Sequence, residues 1–293
     1  MKKFTYHEFR AKYSTDDDCL NKLFLLKFGK LTSCPQCSKE TVFKRVKHRR
    51  SYQCEKCGHQ LYPTAGTVFE KTTTPLSMWF YAMYLHTTTK NGVAAKELER
   101  SCNICYKTAL RISHQLRKLY ADKNMAQLEG TCEADEVYIG GRINNRHAWE
   151  RKQMLNSTSP LKKAVVFGIV ERGGRAFARV VTGVKQTDIV PIILDNLSQT
   201  SKLVTDSSHI YRPLEAYYEH HVVNHESGEY VRGDIHSNTI ENLWSNLKRT
   251  IKGTHIHVSR RHLQKYVDEV VFRYSYRDRQ DELFDLILSR AVD

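Results

Sequence analysis

The sequence predicts an α/β protein in which a mixed sheet with helices is preceded by a zinc ribbon and a helix-turn-helix. Two Cys-x-x-Cys pairs lie near the N-terminus, helical periodicity follows them, and beyond residue 130 short strand-like runs alternate with a helix. The expected segments are an N-terminal helical segment at residues 1–30, the ribbon at 31–70, a helix-turn-helix region at 71–125, the α/β domain at 130–278 and a C-terminal helix or tail at 279–293.

Composition and charge narrow the class of protein. The 293 residues carry a formal net charge of +14, which is typical of proteins that bind polyanions such as nucleic acids. No run approaches the about 18 consecutive apolar residues of a membrane span, and the N-terminus lacks the apolar stretch of a signal peptide. We therefore expect an intracellular protein that is neither secreted nor inserted into a membrane.

The first two cysteine pairs predict a structural zinc site. Cys34 and Cys37 are separated by two residues, as are Cys54 and Cys57. Each pair offers two thiolates on one tight turn, so the two pairs close a tetrahedral Zn²⁺ site with no open coordination position. A pair of redox-active motifs is the alternative, although two copies flanking a basic hairpin fit it poorly. We interpret the remaining cysteines as packing residues, namely Cys19, Cys102, Cys105 and Cys132.

Basic side chains surround the cysteine pairs, and few acids lie among them. This pattern indicates contact with the phosphate backbone of duplex DNA, because lysine and arginine displace the counterions of the phosphates. The expected contacts of the ribbon are Lys44, Arg45, Lys47, Arg49 and Arg50.

A helix-turn-helix is predicted within residues 71–125. Thr74-Pro75 opens a helix with apolar residues at helical spacing, and Pro75 is expected at its first position. Residues 93–98 then suit a short helix, 101–103 a break, and 104–120 a second helix without acidic residues. The expected DNA contacts of this second helix are Lys107, Arg111, Arg117 and Lys118. A solvated basic face on a packing helix is the alternative.

Beyond Gly130 the periodicity becomes that of strands. Strands are expected at residues 131–139, 164–170, 176–181 and 202–205, and a helix at 188–197, which predicts a mixed sheet with a crossover. Asp135 lies within or at the end of the first strand and Asp206 ends the fourth, where open α/β sheets build their sites. A third acid, Glu241, lies on a helix expected at residues 238–252, at the edge opposite its apolar face.

These three acids predict a site for divalent metal ions. Carboxylates brought together repel one another unless cations neutralise them, and two metal ions can activate a water or hydroxyl and stabilise a leaving oxygen in phosphoryl transfer. Lys248 lies seven residues after Glu241, nearly two helical turns, so it shares that face and is placed to bind a phosphate. Asn238 shares the face as well.

Each acid also has a local alternative. Glu241 would complete a capping box begun by Asn238. Asp206 would cap the following turn, and Asp135 would be a solvated strand end. The three acids in this order, beside an N-terminal region suited to DNA, favour the metal site.

The same residues resemble a known family, the insertion-sequence transposases of the ISXO type, which are relatives of the Merlin transposons. The resemblance runs nearly from end to end of the chain. It rests on Cys34-Pro35-x-Cys37 with Tyr52-Gln53-Cys54-x-x-Cys57-Gly58, on residues 64–69, on Pro75-Leu76-x-x-Trp79-Phe80, on residues 106–109, on Asp135-Glu136-x-Tyr138-Ile139-Gly140-Gly141, on Thr205-Asp206, and on residues 236–249, 257–259 and 272–274.

The resemblance implies a ribonuclease-H-like DDE catalytic domain at residues 130–278 and a zinc ribbon that binds element ends. It implies that Asp135, Asp206 and Glu241 are catalytic and that Lys248 contacts a phosphate. The implied reaction is metal-dependent cleavage of DNA and transfer of the 3′-hydroxyl into target DNA. The implied cofactors are two Mg²⁺ or Mn²⁺ ions and one structural Zn²⁺, and the implied location is the bacterial cytoplasm or nucleoid.

Further residues and partners are expected around this site. The additional DNA contacts are Arg142, Arg146, Lys248, Arg249 and Lys252, and the supporting residues are His236 and Asn238. For His236, capping or packing is an equal alternative. The expected partner is double-stranded DNA, both the terminal inverted repeats of the element and the target. Cutting two ends in concert suggests a homodimer or a higher assembly.

Two departures from the family pattern concern the helix-turn-helix and the third acid. The turn reads Arg100-Ser101-Cys102-Asn103-Ile104, where the family more often has a Leu-Gly-Val turn. Family members vary at the third acidic position, whereas this chain has Glu241 there. Two other functions stay open: a domesticated DNA-binding regulator that uses the ribbon and the helix-turn-helix, and a metal-dependent nuclease without strand transfer.

Overall fold

The computed structural model describes residues 4–122, 125–140, 148–149, 163–223, 231–232 and 235–292. It divides the chain into two compact units, Met1–Leu119 with Asp278–Asp293, and Tyr120–Arg277. None of the helices in these described ranges has the length and apolar character that a membrane crossing requires.

The first unit begins with two short helices, α1 (Tyr6–Lys12) and α2 (Asp16–Phe28). Each is preceded by a threonine that forms a reciprocal capping box with an acid three residues later. Such a box satisfies two backbone N–H groups that the first helical turn leaves without partners. Both helix starts are therefore encoded locally.

The ribbon follows as a three-stranded antiparallel sheet of β1 (Phe43–Arg45), β2 (Tyr52–Cys54) and β3 (Gln60–Leu61). Its central strand packs on α2, because the Tyr52 ring stacks on Phe24 with 4.1 Å between ring centroids. Arg45 also bonds Asp17 of α2 through Nη2 at 2.8 Å.

Helix α3 (Leu76–Thr88) is the centre of the first unit's core and is apolar on nearly every side. Pro75 occupies its N-cap rather than its first helical position, so the prediction was wrong by one residue. Since proline has no capping side chain, the carboxylate of Asp16 accepts hydrogen bonds from the Leu76 and Ser77 amides instead. The C-terminal helix Leu283–Arg290 belongs to the same unit.

Two helices resemble the predicted pair but differ in their bounds. Helix α4 (Ala95–Cys102) extends two residues into the expected break at 101–103, and α5 (Tyr106–Lys118) begins two residues later than expected. The chain turns at Asn103, which has φ 48° and ψ 48°, a left-handed conformation that asparagine tolerates at a helix C-terminus. Cys102 is buried, as are Cys19 and Cys132. Cys105 is exposed at the N-cap of α5, so its interpretation as a packing residue was wrong.

The second unit is built on a five-stranded mixed sheet. Its strands are β4 (Thr131–Ile139), β5 (Ala164–Glu171), β6 (Ala176–Val181), β7 (Lys202–Asp206) and β8 (Glu219–Val223). Their order across the sheet is β6-β5-β4-β7-β8. Strands β4, β5 and β6 pair antiparallel, whereas β7 is parallel to β4 and β8 is parallel to β7. The mixed sheet with a crossover is confirmed.

Helices cover both faces of this sheet. One face packs against α6 (Gln186–Asn196) and the 3₁₀ helix His209–Ala216. The other packs against α7 (Asn238–Arg249) and α8 (Leu263–Ser275), which are connected by a π-helix (Thr250–His255) and a 3₁₀ turn (Arg260–His262). The remaining elements are two short paired strands, β9 (Val231–Arg232) and β10 (Ile235–His236), and the C-terminal helix, α9.

Candidate functional site

Asp135 and Asp206 lie at the same level of two adjacent strands. The parallel pairing of β4 with β7 matches Thr131 with Lys202 and Glu133 with Val204. The paired register ends there, and Asp135 and Asp206 each follow two residues later on these neighbouring strands. The two carboxylates are close enough for Asp206 to raise the pKa of Asp135. The predicted pair of strand acids is therefore brought together.

Burial controls the protonation of Asp135. Desolvation, followed by the nearby charges of Glu136 and Asp206, raises the pKa of Asp135 to about 6, although hydrogen bonds to its carboxylate oppose the shift. Burial also raises the pKa of Glu136, whose Oε2 accepts a hydrogen bond from the Tyr211 hydroxyl at 2.8 Å. The desolvation of Asp135 and Glu136, which point to opposite faces of β4, favours protonation of each carboxyl or a cation bound to it. Their oxygen atoms are the ligands that Mg²⁺ prefers.

Trp244 orients Asp135 from the covering helix. Its indole Nε1 donates a hydrogen bond to Asp135 Oδ2 at 3.0 Å. The ring fits because Gly168, the partner of Asp135 in the register of β4 with β5, has no side chain: a Cβ there would lie 2.5 Å from Trp244 Cη2. The hydrogen bond engages Oδ2 and orients the carboxylate.

A buried carboxylate, Glu133, anchors the N-terminus of α7. It lies two residues before Asp135, so both side chains point to the same face of β4. Its oxygens accept hydrogen bonds from the amides of Thr239 and Ile240 at 2.8 and 2.9 Å, and from Arg172 Nε at 2.7 Å. A negative charge at a helix N-terminus also interacts favourably with the helix dipole.

We expect Glu133→Ala to lower the free energy of unfolding by about 3–5 kcal/mol, because it removes the buried partner of two helix amides and of the partly buried Arg172 guanidinium. Urea unfolding with no added Mg²⁺ or Mn²⁺ would measure the change. The matched control is Glu219→Ala on β8, which breaks an exposed ion pair with Lys202 and should not change stability measurably. Equal effects of the two substitutions would contradict the anchoring role of Glu133.

Glu241 lies on the first turn of α7, three residues before Trp244. Its carboxylate is exposed and accepts a hydrogen bond from Ser237 Oγ at 3.3 Å. The N-cap is Ser237, so the capping box with Asn238 does not form. Within the described ranges, the four ribbon cysteines are the one group of three or more potential metal ligands within 4.8 Å of one another. Glu241 is therefore on the helix that covers Asp135 without being gathered against the strand acids.

Lys248 and the two supporting residues have different surroundings. Lys248 is exposed on α7, on the face of Glu241. His236 packs against the anchor, with Nδ1 3.3 Å from Glu133 Oε1 and its carbonyl accepting a hydrogen bond from Arg172. This arrangement favours packing for His236. Asn238 is exposed as the first residue of α7.

Asp206 caps the turn that follows β7, as the local alternative predicted, and it is also near Asp135. Its Oδ1 accepts a hydrogen bond from the Ser208 amide at 3.1 Å, which closes the turn after β7. The two roles are compatible, because a carboxylate has lone pairs for further partners.

The four ribbon cysteines fit zinc. All four Sγ atoms lie within 4.8 Å of one another, and Cys34 Sγ and Cys57 Sγ are 3.7 Å apart. A tetrahedron of thiolates at about 2.3 Å from Zn²⁺ has edges of about 3.8 Å. Although desolvation opposes it, hydrogen bonds with the Thr41 hydroxyl and with nearby amides lower the pKa of Cys54 to about 6, which supplies a thiolate at neutral pH. Zinc would complete the ribbon, whose strands are too short for a large core.

Apart from Arg117, the basic residues predicted to contact DNA divide into three groups. Exposed positions are Lys44, Lys47, Arg49, Lys107, Arg111, Lys118, Lys248, Arg249 and Lys252. Arg45 and Arg50 hold the first unit together instead: Arg45 bonds Asp17, and Arg50 donates to the carbonyls of Thr72 and Thr74. Arg142 and Arg146 lie outside the described residues.

Arg117 was predicted to contact DNA, and this prediction was wrong because the side chain is buried. It is only 1% exposed, and its guanidinium donates a hydrogen bond to the Val93 carbonyl inside the first unit. A guanidinium in this position cannot contact a phosphate, so Arg117 supports the helix pair rather than the DNA. The exposed cations Lys107, Arg111 and Lys118 share one face of α5, since their spacings are close to whole helical turns.

Comparisons with known proteins match two parts of the chain to described domains. Residues 127–275 match the ISXO2-like transposase domain, and residues 14–60 match the transposase zinc-ribbon domain. The chain is 29% identical over 276 residues to an uncharacterized protein in transposable element ISH50 of Halobacterium salinarum, covering 88% of this chain and 91% of that protein. Since the first match spans half of the chain, this protein belongs to the family of ISXO2-like transposases and has a transposase zinc ribbon.

Proposed function

We propose that this transposase cuts DNA at the ends of its insertion sequence and joins the freed 3′-hydroxyl to target DNA. The catalytic residues are Asp135, Asp206 and Glu241. The observation that supports the proposal is that Asp206, on the strand next to that of Asp135, is near enough to raise the pKa of Asp135, and that Trp244 of the helix bearing Glu241 bonds Asp135. Glu241, on that helix, would be the third carboxylate to hold the metal ions.

The sheet supports a ribonuclease-H-like fold for this domain. Three antiparallel strands are followed by a crossover helix and two strands parallel to the first, and helices cover both faces. The first strand lies at the centre of the sheet and bears Asp135. The fourth strand ends with Asp206, and sites in α/β folds are commonly built at the carboxyl ends of strands.

Two Mg²⁺ or Mn²⁺ ions held by these carboxylates would supply activation of the attacking oxygen and stabilisation of the leaving oxygen. Within the chain, Trp244 keeps the Asp135 carboxylate in one orientation, and Glu133 holds the start of α7 so that Glu241 stays above the sheet. Lys248 would bind a phosphate of the DNA on the same helix face.

The N-terminal unit would bind duplex DNA. Helices α4 and α5, joined through the turn at Asn103, support a helix-turn-helix in which α5 presents Lys107, Arg111 and Lys118 to the DNA. The ribbon would add Lys44, Lys47 and Arg49. These residues contact phosphates and therefore set position rather than sequence choice. Joining two element ends suggests a dimer or a higher assembly.

A strand-transfer assay tests this function. Purified protein would be incubated with Mg²⁺ or Mn²⁺, a supercoiled target plasmid, and duplexes that copy the ends of the insertion sequence, one set intact and one set already cut. We expect intact ends to be cut and pre-cut ends to be joined to the plasmid. Asp206→Asn should lose both reactions and retain DNA binding.

The same assay separates the alternatives. Cutting without joining of pre-cut ends would indicate a nuclease. DNA binding without either reaction, under both metals, would indicate a regulator.

A further inference from the structure

An apolar side chain projects from the loop that follows α7 and its π-helical extension. Ile256, between the π-helix and the 3₁₀ turn Arg260–His262, is 83% exposed, more than any other large apolar side chain in the described ranges. Single exposed apolar residues are common on protein surfaces. The backbone of this one is unusual.

Ile256 has φ 64° and ψ −54°, and the His257 amide donates a hydrogen bond to the His255 carbonyl at 2.6 Å. These features describe a three-residue γ-turn of the rare, strained form. A β-branched residue at positive φ is an outlier that glycine or asparagine would relieve. Such strain is typical of sites where the side chain has a function outside the fold.

Both ends of the loop are fixed, so the strained tip is held in place. Ile251 is buried in the core under the sheet before the tip, and Leu263 is buried there after it. The His255 ring packs on Tyr266 with 4.7 Å between centroids. The side chain of Ile256 is therefore presented to solvent by an anchored loop.

The surroundings of Ile256 are strongly cationic. The sequence contains no aspartate or glutamate from residue 242 to 267. Lys252, Arg260 and Arg261 are exposed on either side of the tip. A protein interface would instead concentrate apolar residues at its centre and exclude charges. One apolar side chain among cations suits duplex DNA, in which phosphates flank a stack of apolar bases.

We propose that Ile256 is a wedge that enters the base stack of bound duplex DNA, while Lys252, Arg260 and Arg261 contact the phosphates on either side. Apolar wedges of this size partly unstack a base step and kink the duplex. The inference rests on the proposed function, because it requires DNA at the catalytic unit. The wedge would distort the DNA on binding alone, without metal ions and without strand cleavage.

The test uses the full-length protein without added Mg²⁺ or Mn²⁺, so that no strand is cut. The probes are duplexes that copy an end of the insertion sequence, each with 2-aminopurine at one of a series of successive positions. We expect the wild type to raise the 2-aminopurine fluorescence at one step. Ile256→Gly should abolish that rise and weaken binding at least about tenfold, because the buried apolar side chain is lost, whereas Ile256→Leu should retain the rise.

Two further measurements separate a wedge from other roles. Ile256→Gly should leave the salt dependence of binding unchanged and should melt no lower than the wild type, because it removes strain and no charge. Lys252→Gln is the matched control in the same loop: it should keep the fluorescence rise and reduce the slope of log affinity against log salt by roughly one.

An unchanged fluorescence rise with Ile256→Gly would overturn the wedge. A change in oligomeric state without a change in fluorescence would also overturn it and would place Ile256 against a second copy. Failure of the wild type to bind the duplex would contradict the proposed function itself. A fluorescence rise that depends on Ile256, in a protein that neither cuts nor joins DNA, would support the wedge and contradict only the proposed catalysis.

Discussion

Replacing Asp135 by asparagine is expected to lower metal-dependent cleavage and joining by at least about a thousandfold, because the site loses a charged ligand that no neighbour can replace. Binding of duplex DNA should persist, since the cations that contact phosphates are unchanged. Gel-based cleavage and filter binding on the same preparation would measure the two quantities. Cleavage by Asp135→Asn at a rate near that of the wild type would contradict the assignment.

The same substitution should stabilise the protein when no Mg²⁺ or Mn²⁺ is added. The pKa of Asp135 is raised from 3.8 to about 6, so the folded state binds this proton more tightly than the unfolded state. The contribution of Asp135 to stability is therefore fully present below about pH 4 and is lost as pH rises through 6. Above pH 6 the buried charge costs on the order of 2–3 kcal/mol, which asparagine avoids.

Urea unfolding of the wild type and Asp135→Asn at pH 5 and pH 7.5 would show this dependence. We expect the advantage of asparagine to be larger at pH 7.5. A variant that is inactive and also less stable at pH 7.5 would indicate misfolding rather than loss of a ligand. Activity and stability that change in opposite directions are the signature of a functional acid.

Loss of zinc is expected to unfold the ribbon. The three strands have two or three residues each, so the metal would supply most of the free energy of folding, about 10–16 kcal/mol in isolated zinc peptides. Cys54→Ser should abolish zinc binding, expose residues 31–70 to protease and weaken DNA binding more than tenfold. The second unit should stay folded, because its core does not use the ribbon.

The matched control is Cys105→Ser. Cys105 is exposed and is not among the four clustered cysteines. We expect it to retain one zinc ion per chain and the DNA affinity of the wild type. Retention of zinc and of protease resistance by Cys54→Ser would contradict a four-cysteine site.

The sheet of the second unit was largely predictable, because most of its strands are short apolar runs that are bounded by turns. Strand β8 was not predicted, since Glu219–Val223 includes a glutamate and two histidines at the edge of the sheet. The helix expected to reach residue 252 ends at Arg249 and continues as a π-helix. A π-helix of six residues is too short to produce a recognisable periodicity of apolar residues in the sequence.

Asp206 could be singled out because it ends its strand, and Asp135 because it lies within the first strand of the sheet, whereas the residues that hold them could not. Trp244 reads as an apolar core position, and its hydrogen bond to Asp135 depends on the absence of a side chain at Gly168. Glu133 had a usable signal, because period two places it on the face of Asp135.

Arg117 had a signal as well. Arg117 lies four residues after Ser113 and therefore on the buried face of α5. Its positive charge led to the prediction that it is exposed. The helical period was therefore a better guide than residue type at this position. The exposed cations of the same helix follow the same period on the opposite side.

The most direct measurement on the catalytic site is the number of Mn²⁺ ions bound per chain, obtained by electron paramagnetic resonance on zinc-loaded protein with end DNA bound. We expect two ions in the wild type, and weaker or fewer ions in Glu241→Gln together with loss of strand joining. Equal Mn²⁺ binding and equal joining by Glu241→Gln and wild type would show that Asp135, Asp206 and Glu241 do not form one metal site.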